Sequence, residues 1–205
     1  TVGNVAWTNP GNATASDNVY ATCILTAGQT SRYLRASNFP SAVPTNGLVV
    51  GVKVEIEKAQ TAGTGTLTDN NIFLVRNGVI MSGAGDNASS GAAWTGSDVY
   101  SPYGADGDTW LIPLLAGECN AADFGVVFRV LATGGTGGTA SIDHIRVTFY
   151  VDEGYESGPQ VIALGHVRLY GHEYHLADEP GPQESYNPMQ PGRNLMPGKV
   201  HQSLS

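Results

Sequence analysis

The sequence is poor in charge, and positive charge is scarcest. Charged residues make up 14% of its 205 residues, with ten Lys and Arg against eighteen Asp and Glu, for a formal net charge of −8. Proteins bind nucleic acids and acidic membrane surfaces mainly by neutralising negative groups with Lys and Arg. The composition therefore argues against both kinds of partner, and we expect no nucleic acid and no membrane as a ligand.

Cysteine and long apolar runs are also lacking. Cys23 and Cys119 are the only cysteines, which is too few for a disulfide framework or a Cys-rich zinc site. Cys23 lies in an apolar alternation and Cys119 in a polar turn, which favours two unpaired thiols, one of them buried, over a single bridge. No apolar run reaches the roughly 18 residues of a membrane-spanning helix. The sequence indicates neither a disulfide scaffold nor a helical membrane protein.

Two stretches alternate apolar and polar residues with the period of a β-strand. The first is 48–58 and the second is 141–151. In the first, the residues predicted to face the core are Val50, Val52, Val54 and Ile56. Its polar face carries glutamates, whereas the polar face of the second carries His144 and Arg146. Opposite charges across a strand pair are favourable, so pairing of the two strands is a reasonable prediction.

The remainder of residues 1–151 has strand-like segments separated by Gly, Asn and Thr clusters, and no amphipathic helix of 10–15 residues. Asn77-Gly78 between apolar runs predicts a tight hairpin. The Gly/Thr clusters at 61–66 and 134–138 are interpreted as hairpin tips, 82–107 as a long loop, and 109–115 as a strand. About eight strands are counted, which predicts an all-β antiparallel sandwich or jelly roll.

After Val151 the composition changes. Residues 152–205 are rich in Pro, Gly, Gln, Asn and Ser, with one strand-like segment at 160–170. Such a segment has too little apolar surface to offset the entropy of ordering itself. We therefore predict two parts: a sandwich body at 1–151 and an extended C-terminal arm at 152–205 that lies on a neighbouring chain.

Candidate chemical groups are few, and each has a simpler structural interpretation. Glu55 and Glu57 share a strand face, as the carboxyl pair of a glycosidase would, but a solvated strand face is the commoner outcome. His166, His172 and His175 are weak candidates for a metal site, because their spacing matches no known metalloenzyme motif. Asp106-Gly-Asp108 lacks the spacing of a calcium loop and favours a turn, as does 69–71. We expect no catalytic residue, no cofactor and no metal.

Aromatic residues cluster in and after the long loop: Trp94, Tyr100, Tyr103 and Trp110. Such a cluster can stack on sugar rings, or it can anchor its own loop or a protein contact, and the second role is commoner for Trp and Tyr. We predict an interface role for these four. In the segment after Val151, the same role is predicted for Tyr174, Tyr186, Met189, Leu195 and Met196.

The order of these features is similar to a known group of proteins. It begins with Trp-x-Asn-Pro-x-Asn-Ala from Trp7, continues through Asp-Asn-Val-Tyr-Ala-Thr from Asp17, Leu-Val-Val-Gly-Val-Lys-Val-Glu-Ile from Leu48 and the Trp94 loop, and closes with Ile-Asp-His-Ile-Arg-Val-Thr-Phe-Tyr-Val from Ile142. This pattern, over about residues 5–151, resembles β-sandwich virion proteins of tailed bacteriophages. The resemblance carries no catalytic residues.

The resemblance implies a non-enzymatic component of a virion that is assembled in the bacterial cytoplasm. The expected role is a capsid decoration (cement) protein that contacts the major capsid or other virion proteins and like subunits. A tail, fibre or adhesin module that binds carbohydrate through the loop from Trp94 to Trp110 is the alternative. A hydrolase using Glu55 and Glu57 is a third hypothesis.

Overall fold

The computed structural model describes residues 3–83, 85, 87 and 92–152, together with the strand segments 167–169 and 172–174. The chain divides into two units, Thr1–Gly154 and Tyr155–Ser205. The first unit is all-β, which confirms the predicted fold class, and it consists of two antiparallel sheets of four strands each.

Odd and even strands are mixed between the two sheets. The first sheet has the order β1-β8-β3-β6, with β1 at Ala21–Leu25, β8 at Gly138–Asp152, β3 at Leu48–Ala62 and β6 at Val99–Tyr103. The second has the order β2-β7-β4-β5, with β2 at Leu34–Ser37, β7 at Gly125–Thr133, β4 at Thr66–Arg76 and β5 at Val79–Ile80.

Helix is limited to two single turns in the described residues. A 3-10 helix spans Pro10–Ala13, and α1 spans Ala116–Cys119. No helix in this part of the chain is long and apolar enough to cross a membrane. The core lies between the two sheets, and its largest fully buried side chains are Trp110, Phe124 and Phe128.

The two alternating stretches pair with each other along most of their length, as predicted. In the antiparallel pair of β3 and β8, Glu55 is opposite Arg146 and Glu57 is opposite His144. Arg146 donates two hydrogen bonds to the Glu55 carboxylate, at 3.0 and 3.1 Å. The opposite charges noted in the sequence therefore form a direct contact between the two strands.

The inward face of β3 differs from the prediction at its beginning. A register shift between Val49 and Gly51 turns Val49 into the core, where it is 4% exposed, and leaves Val50 half-buried. A bulge adds one residue to one strand and shifts the alternation by one position. The predicted core face is therefore correct from Val52 onward and wrong at Val50.

The two Gly/Thr clusters interpreted as hairpin tips are connections between the sheets. The 61–66 cluster leads from β3 in the first sheet to β4 in the second, and the 134–138 cluster leads from β7 back to β8. The two connections lie side by side, since the Gly65 amide donates to the Gly137 carbonyl at 2.8 Å. Because hairpin tips and crossings use the same turn residues, composition did not distinguish them.

The region from 82 to 115 also differs from the prediction. The supposed long loop contains β6, which pairs with β3. The supposed strand at 109–115 is irregular, because Trp110 and Leu111 have left-handed φ values of 57° and 56°. In contrast, the hairpin at Asn77-Gly78 is confirmed: both residues have positive φ, and they join β4 to β5 through a two-residue loop.

In the second unit the structure describes one antiparallel pair, β9 at Val167–Leu169 with β10 at His172–Tyr174. Strand β9 falls within the strand-like segment predicted at 160–170. The rest of that segment and the predicted interface residues Tyr186, Met189, Leu195 and Met196 lie outside the described residues. Tyr174 is the last residue of β10, and its side chain is also outside the described part.

We predict that Gly137 is far less replaceable than Gly134 in the same connection. Both have positive φ, so alanine costs each about 1–2 kcal/mol of backbone strain. A Cβ at Gly134 meets nothing within 4 Å, but one at Gly137 would lie 1.9 Å from the Leu25 carbonyl oxygen. In urea unfolding, Gly137→Ala should therefore cost at least about 2 kcal/mol more than Gly134→Ala. Equal losses would contradict the described packing of this connection.

Candidate functional site

A lysine is buried in the core next to an aspartate. Lys58 follows Val52, Val54 and Ile56 on the inward face of β3, and it is 6% exposed. Its ammonium group lies 2.6 Å from Oδ1 and 2.9 Å from Oδ2 of Asp69, which is also 6% exposed. Asp69 is on β4, so this ion pair joins the first sheet to the second.

Two aromatic side chains complete the hydrogen bonding of the pair. The Trp94 indole N–H donates to Oδ1 of Asp69 at 2.9 Å, and the Tyr103 hydroxyl donates to Oδ2 at 2.9 Å. Lys58 also donates to the Tyr103 hydroxyl, and its Nζ lies 4.7 Å from the Trp94 ring centroid and 5.1 Å from that of Tyr103. We call these four residues the Lys58 network.

Burial sets the protonation behaviour of this network. Burial lowers the pKa of Lys58, while the Asp69 carboxylate acts in the opposite direction. Burial also raises the pKa of Tyr103, and the negative charge of Asp69 adds to that effect, so the phenol stays neutral. A lysine and an aspartate that satisfy each other in this way form a structural cross-link, because an unpaired buried charge is strongly unfavourable.

The sequence contains a signal for the burial of Lys58. Lys58 is in phase with the core residues of β3, whereas Lys53 is in phase with the polar face. A lysine on the apolar face of a strand requires a buried partner. Asp69 was instead assigned to a turn at 69–71, and that assignment is wrong, because these residues lie within β4.

The four aromatic residues of the predicted interface differ in their burial. Trp94, Tyr103 and Trp110 are 8%, 4% and 0% exposed. The Trp110 indole donates to the Val52 carbonyl at 2.9 Å, inside the core. Only Tyr100 is on the outer face, half-buried, where the Arg146 guanidinium lies 4.0 Å from its ring centroid. Trp94, Tyr103 and Trp110 therefore anchor this part of the chain to the core, and an interface role for the four aromatic residues stays a prediction.

The two glutamates considered for catalysis have separate partners. Glu55 is bound by Arg146 on β8, and Lys53 lies 3.3 Å from its Oε2. The hydrogen bonds from Arg146 lower the pKa of Glu55, and those from Lys53 act in the same direction. Glu55 is thus held as a paired carboxylate, which is a poor general acid at neutral pH. Glu57 has different neighbours, Asp98 and Asp143.

Two candidate metal sites from the sequence remain, the Asp106-Gly-Asp108 segment and the three histidines. Asp106 and Gly107 form a turn, as expected, and Asp108 Oδ1 accepts from the Trp110 amide at 2.8 Å. Of the three histidines considered for a metal, His172 belongs to β10, but no side chain is described there. His166 and His175 lie outside the described residues.

One edge of the first sheet is open over half of β8. Strand β1 pairs with β8 only at 138–142, and an isolated bridge joins Thr14 to His144. In the part of the chain that the structure describes, residues 145–151 pair on one side only, with β3. Their unpaired backbone groups form a template for an additional strand.

A groove of about 390 Å³ follows this open edge. Its other wall is the segment 39–44, and its lining includes Phe39, Val147, Phe149 and Val151, all partly buried apolar residues. The Asn120 side chain fixes the segment by accepting from the Val43 amide at 2.9 Å and donating to the Val43 carbonyl at 2.8 Å. The groove and the unpaired edge of β8 together form what we call the β8 groove.

An exposed apolar pair lies where β3 begins and β8 ends. Leu48 is 62% exposed and Leu115 is 68% exposed, and an isolated bridge holds the two together. Leu48 is also opposite Asp152, the last residue of β8. Single exposed apolar residues are normal on protein surfaces, and neither leucine lines the β8 groove.

Comparison of the chain with protein-family models, with curated proteins and with solved structures gives no match. The resemblance to phage virion proteins is therefore still a prediction from the sequence pattern.

We predict that replacing Lys58 by methionine destabilises the fold by about 3–5 kcal/mol, because Asp69 is left as an uncompensated buried charge. Lys53→Met on the same strand is the matched control. It removes a partly exposed ion pair with Glu55 and should cost less than about 1 kcal/mol. Both free energies can be measured by urea unfolding. If the two variants are equally stable, the Lys58 network does not join the sheets energetically.

We predict that both thiols are unreactive in the folded protein. Cys23 and Cys119 are unpaired, and each is 1% exposed, so Cys119 is buried as well as Cys23, contrary to the sequence expectation. Burial raises the pKa of each thiol to about 11, with Glu118 adding to the effect at Cys119. At pH 8, a thiol reagent should react with neither cysteine until denaturant is added. Rapid labelling of either one in the native protein would contradict this prediction.

Proposed function

We propose that this chain is a non-enzymatic structural component of a bacteriophage particle, a capsid decoration (cement) protein assembled in the bacterial cytoplasm. In this proposal the sandwich body contacts major capsid or other virion proteins and like subunits. Residues 152–205 act as an extended arm toward a neighbouring chain. The observation that carries the proposal is the β8 groove.

The strand pairing supports a finer description of the body as a jelly roll. Strand β1 pairs with β8, β2 with β7, β3 with β6, and β4 with β5. This nested set is the pairing expected of one long antiparallel ribbon folded over into two sheets. Jelly rolls occur in viral capsid proteins, in lectins and in cupins. The fold is compatible with a virion role but does not select it, because one fold serves many functions.

The β8 groove supports an assembly role because it combines two features that strand addition requires. Unpaired backbone groups at 145–151 supply hydrogen bonds for an incoming chain. The apolar lining contributed by Phe39, Val147 and Phe149 supplies pockets for alternate side chains. A cement protein attaches to a shell through non-covalent contacts, and strand addition is one way to supply them.

The composition after Val151 supports the other half of the proposal. Prolines at 180, 182, 188, 191 and 197 restrict the backbone before binding, so less entropy is lost when such a segment is ordered on a partner. The carbohydrate-binding alternative has no comparable support, because three of the four aromatic residues that suggested it are buried. Glycan binding is therefore the alternative result of the experiment below, and we do not propose it as the function.

We predict that Ala42→Glu weakens attachment to phage heads by about tenfold or more, because a charge buried in an apolar contact without a partner is unfavourable. Ala42 lines the β8 groove but is itself exposed, so the substitution should leave the fold intact. The measurement is co-sedimentation of the full-length protein with purified heads that lack it. Ala27→Glu, at an exposed turn outside the groove, adds the same charge as a matched control.

The same preparation separates the proposal from its alternatives. Light scattering gives the mass of the full chain with and without heads, and a glycan array tests carbohydrate binding. Attachment of the wild type and of Ala27→Glu, but not of Ala42→Glu, supports a cement role through the β8 groove. If the protein does not attach to heads but binds glycans, it is an adhesin module, and the proposal is then wrong.

A further inference from the structure

Three carboxylates from separate segments of the chain meet on the outer side of the first sheet. Glu57 is on the polar face of β3, Asp98 immediately precedes β6, and Asp143 lies in β8. Each residue offers one carboxylate oxygen, and these oxygens all lie within 4.8 Å of one another. We call this group the acidic triad. None of the sequence motifs considered above includes all three residues.

A bulge in β8 brings Asp143 into the triad. In the pairing with β3, Glu57 is opposite His144 and Lys58 is opposite Ile142, so Asp143 is the extra residue. Bulges redirect a side chain, and they are frequent beside functional sites. Asp143 is 1% exposed, an unusual degree of burial for an aspartate with no cationic partner among the described contacts.

Each member of the triad has one buried carboxylate oxygen without a hydrogen-bond partner in the described residues. The atoms are Glu57 Oε2, Asp98 Oδ1 and Asp143 Oδ1. The other oxygens of the two aspartates are anchored. Asp143 Oδ2 accepts from the Asn18 amide at 3.0 Å, and Asp98 Oδ2 accepts from the Tyr20 hydroxyl at 3.1 Å. An unpaired buried carboxylate oxygen is costly, and three of them in one place indicate a missing positive partner.

The cationic side chains nearby are engaged elsewhere. Arg146 binds Glu55, and Lys58 lies on the opposite face of β3 with Asp69. Burial raises the pKa of Asp98, and the negative charges of Glu57 and Asp143 raise it further, against a hydrogen bond from Tyr20 that lowers it. Mutual repulsion of the three carboxylates is therefore only partly relieved by the surrounding side chains.

We propose that Glu57, Asp98 and Asp143 bind a calcium ion. Calcium takes six to eight oxygen ligands with flexible geometry, so three carboxylates can be supplemented by backbone carbonyls and water. The donor set contains only carboxylate oxygens, which suits a hard cation and not zinc, whose structural sites use Cys and His. Bound there, the ion joins β3, the start of β6 and β8, and through Asn18 it also fixes the segment before β1.

Asp143→Asn tests this proposal because a calcium site and a purely structural aspartate predict different results. The side chain keeps its shape, and its oxygen can still accept from the Asn18 amide. In EDTA, the variant should melt at a higher temperature than the wild type, because one repelling charge is gone. At about 1 mM Ca²⁺ the wild type should melt at a higher temperature than in EDTA, and the variant should show no shift.

Asp123→Asn is the matched control, since Asp123 is exposed and outside the triad. It should keep the calcium-dependent shift of the wild type. Calorimetric titration with Ca²⁺, and terbium luminescence sensitised by the nearby Tyr20, measure binding directly and without reference to folding. Absence of binding heat and terbium signal at millimolar metal would overturn the proposal, as would an unchanged shift in Asp143→Asn. The readouts do not involve phage heads, so their failure would leave the proposed cement role untouched.

Discussion

The sandwich depends on one buried ion pair. Lys58 on β3 and Asp69 on β4 are in different sheets, and their contact is completed by Trp94 and Tyr103. Apolar packing between two sheets tolerates small sliding movements, because it has no direction. A charged contact among four fixed side chains does not, so it defines how the two sheets are aligned. We infer that the core uses these polar groups for register as well as for stability.

The acidic triad and the Lys58 network lie on opposite faces of the same strand segment. Glu57 faces outward and the next residue, Lys58, faces inward, as strand geometry requires. The acidic triad concentrates negative charge, whereas the Lys58 network pairs one positive charge with one negative charge. The β8 groove lies further along β8, beyond the bulge at Asp143. The first sheet thus has a region fixed by electrostatics and a separate region with an unsatisfied edge.

Much of the fold was predictable from local patterns, but the sites were not. The pairing of β3 with β8 followed from alternation and from the opposite charges of Glu55 and Arg146, which are both properties of short segments. The positions of Asp69 and Asp143 depend on bulges and on which sheet a strand joins, and these are set by long-range packing. The burial of Trp94, Tyr103 and Trp110 was not predictable for the same reason, since a Gly-rich context does not reveal that a loop covers the core.

The nested strand pairing has a consequence for how the protein is made. Strand β4 can pair with β5 as soon as both have left the ribosome, because two residues separate them. Strand β1, however, has to wait for β8, the last strand of the body, before it gains its only partner strand among the described residues. Contacts of such high sequence separation slow folding, and they expose apolar strands in the meantime. The first sheet is therefore completed only after synthesis of the body ends, which makes β1 the segment most dependent on protection during translation.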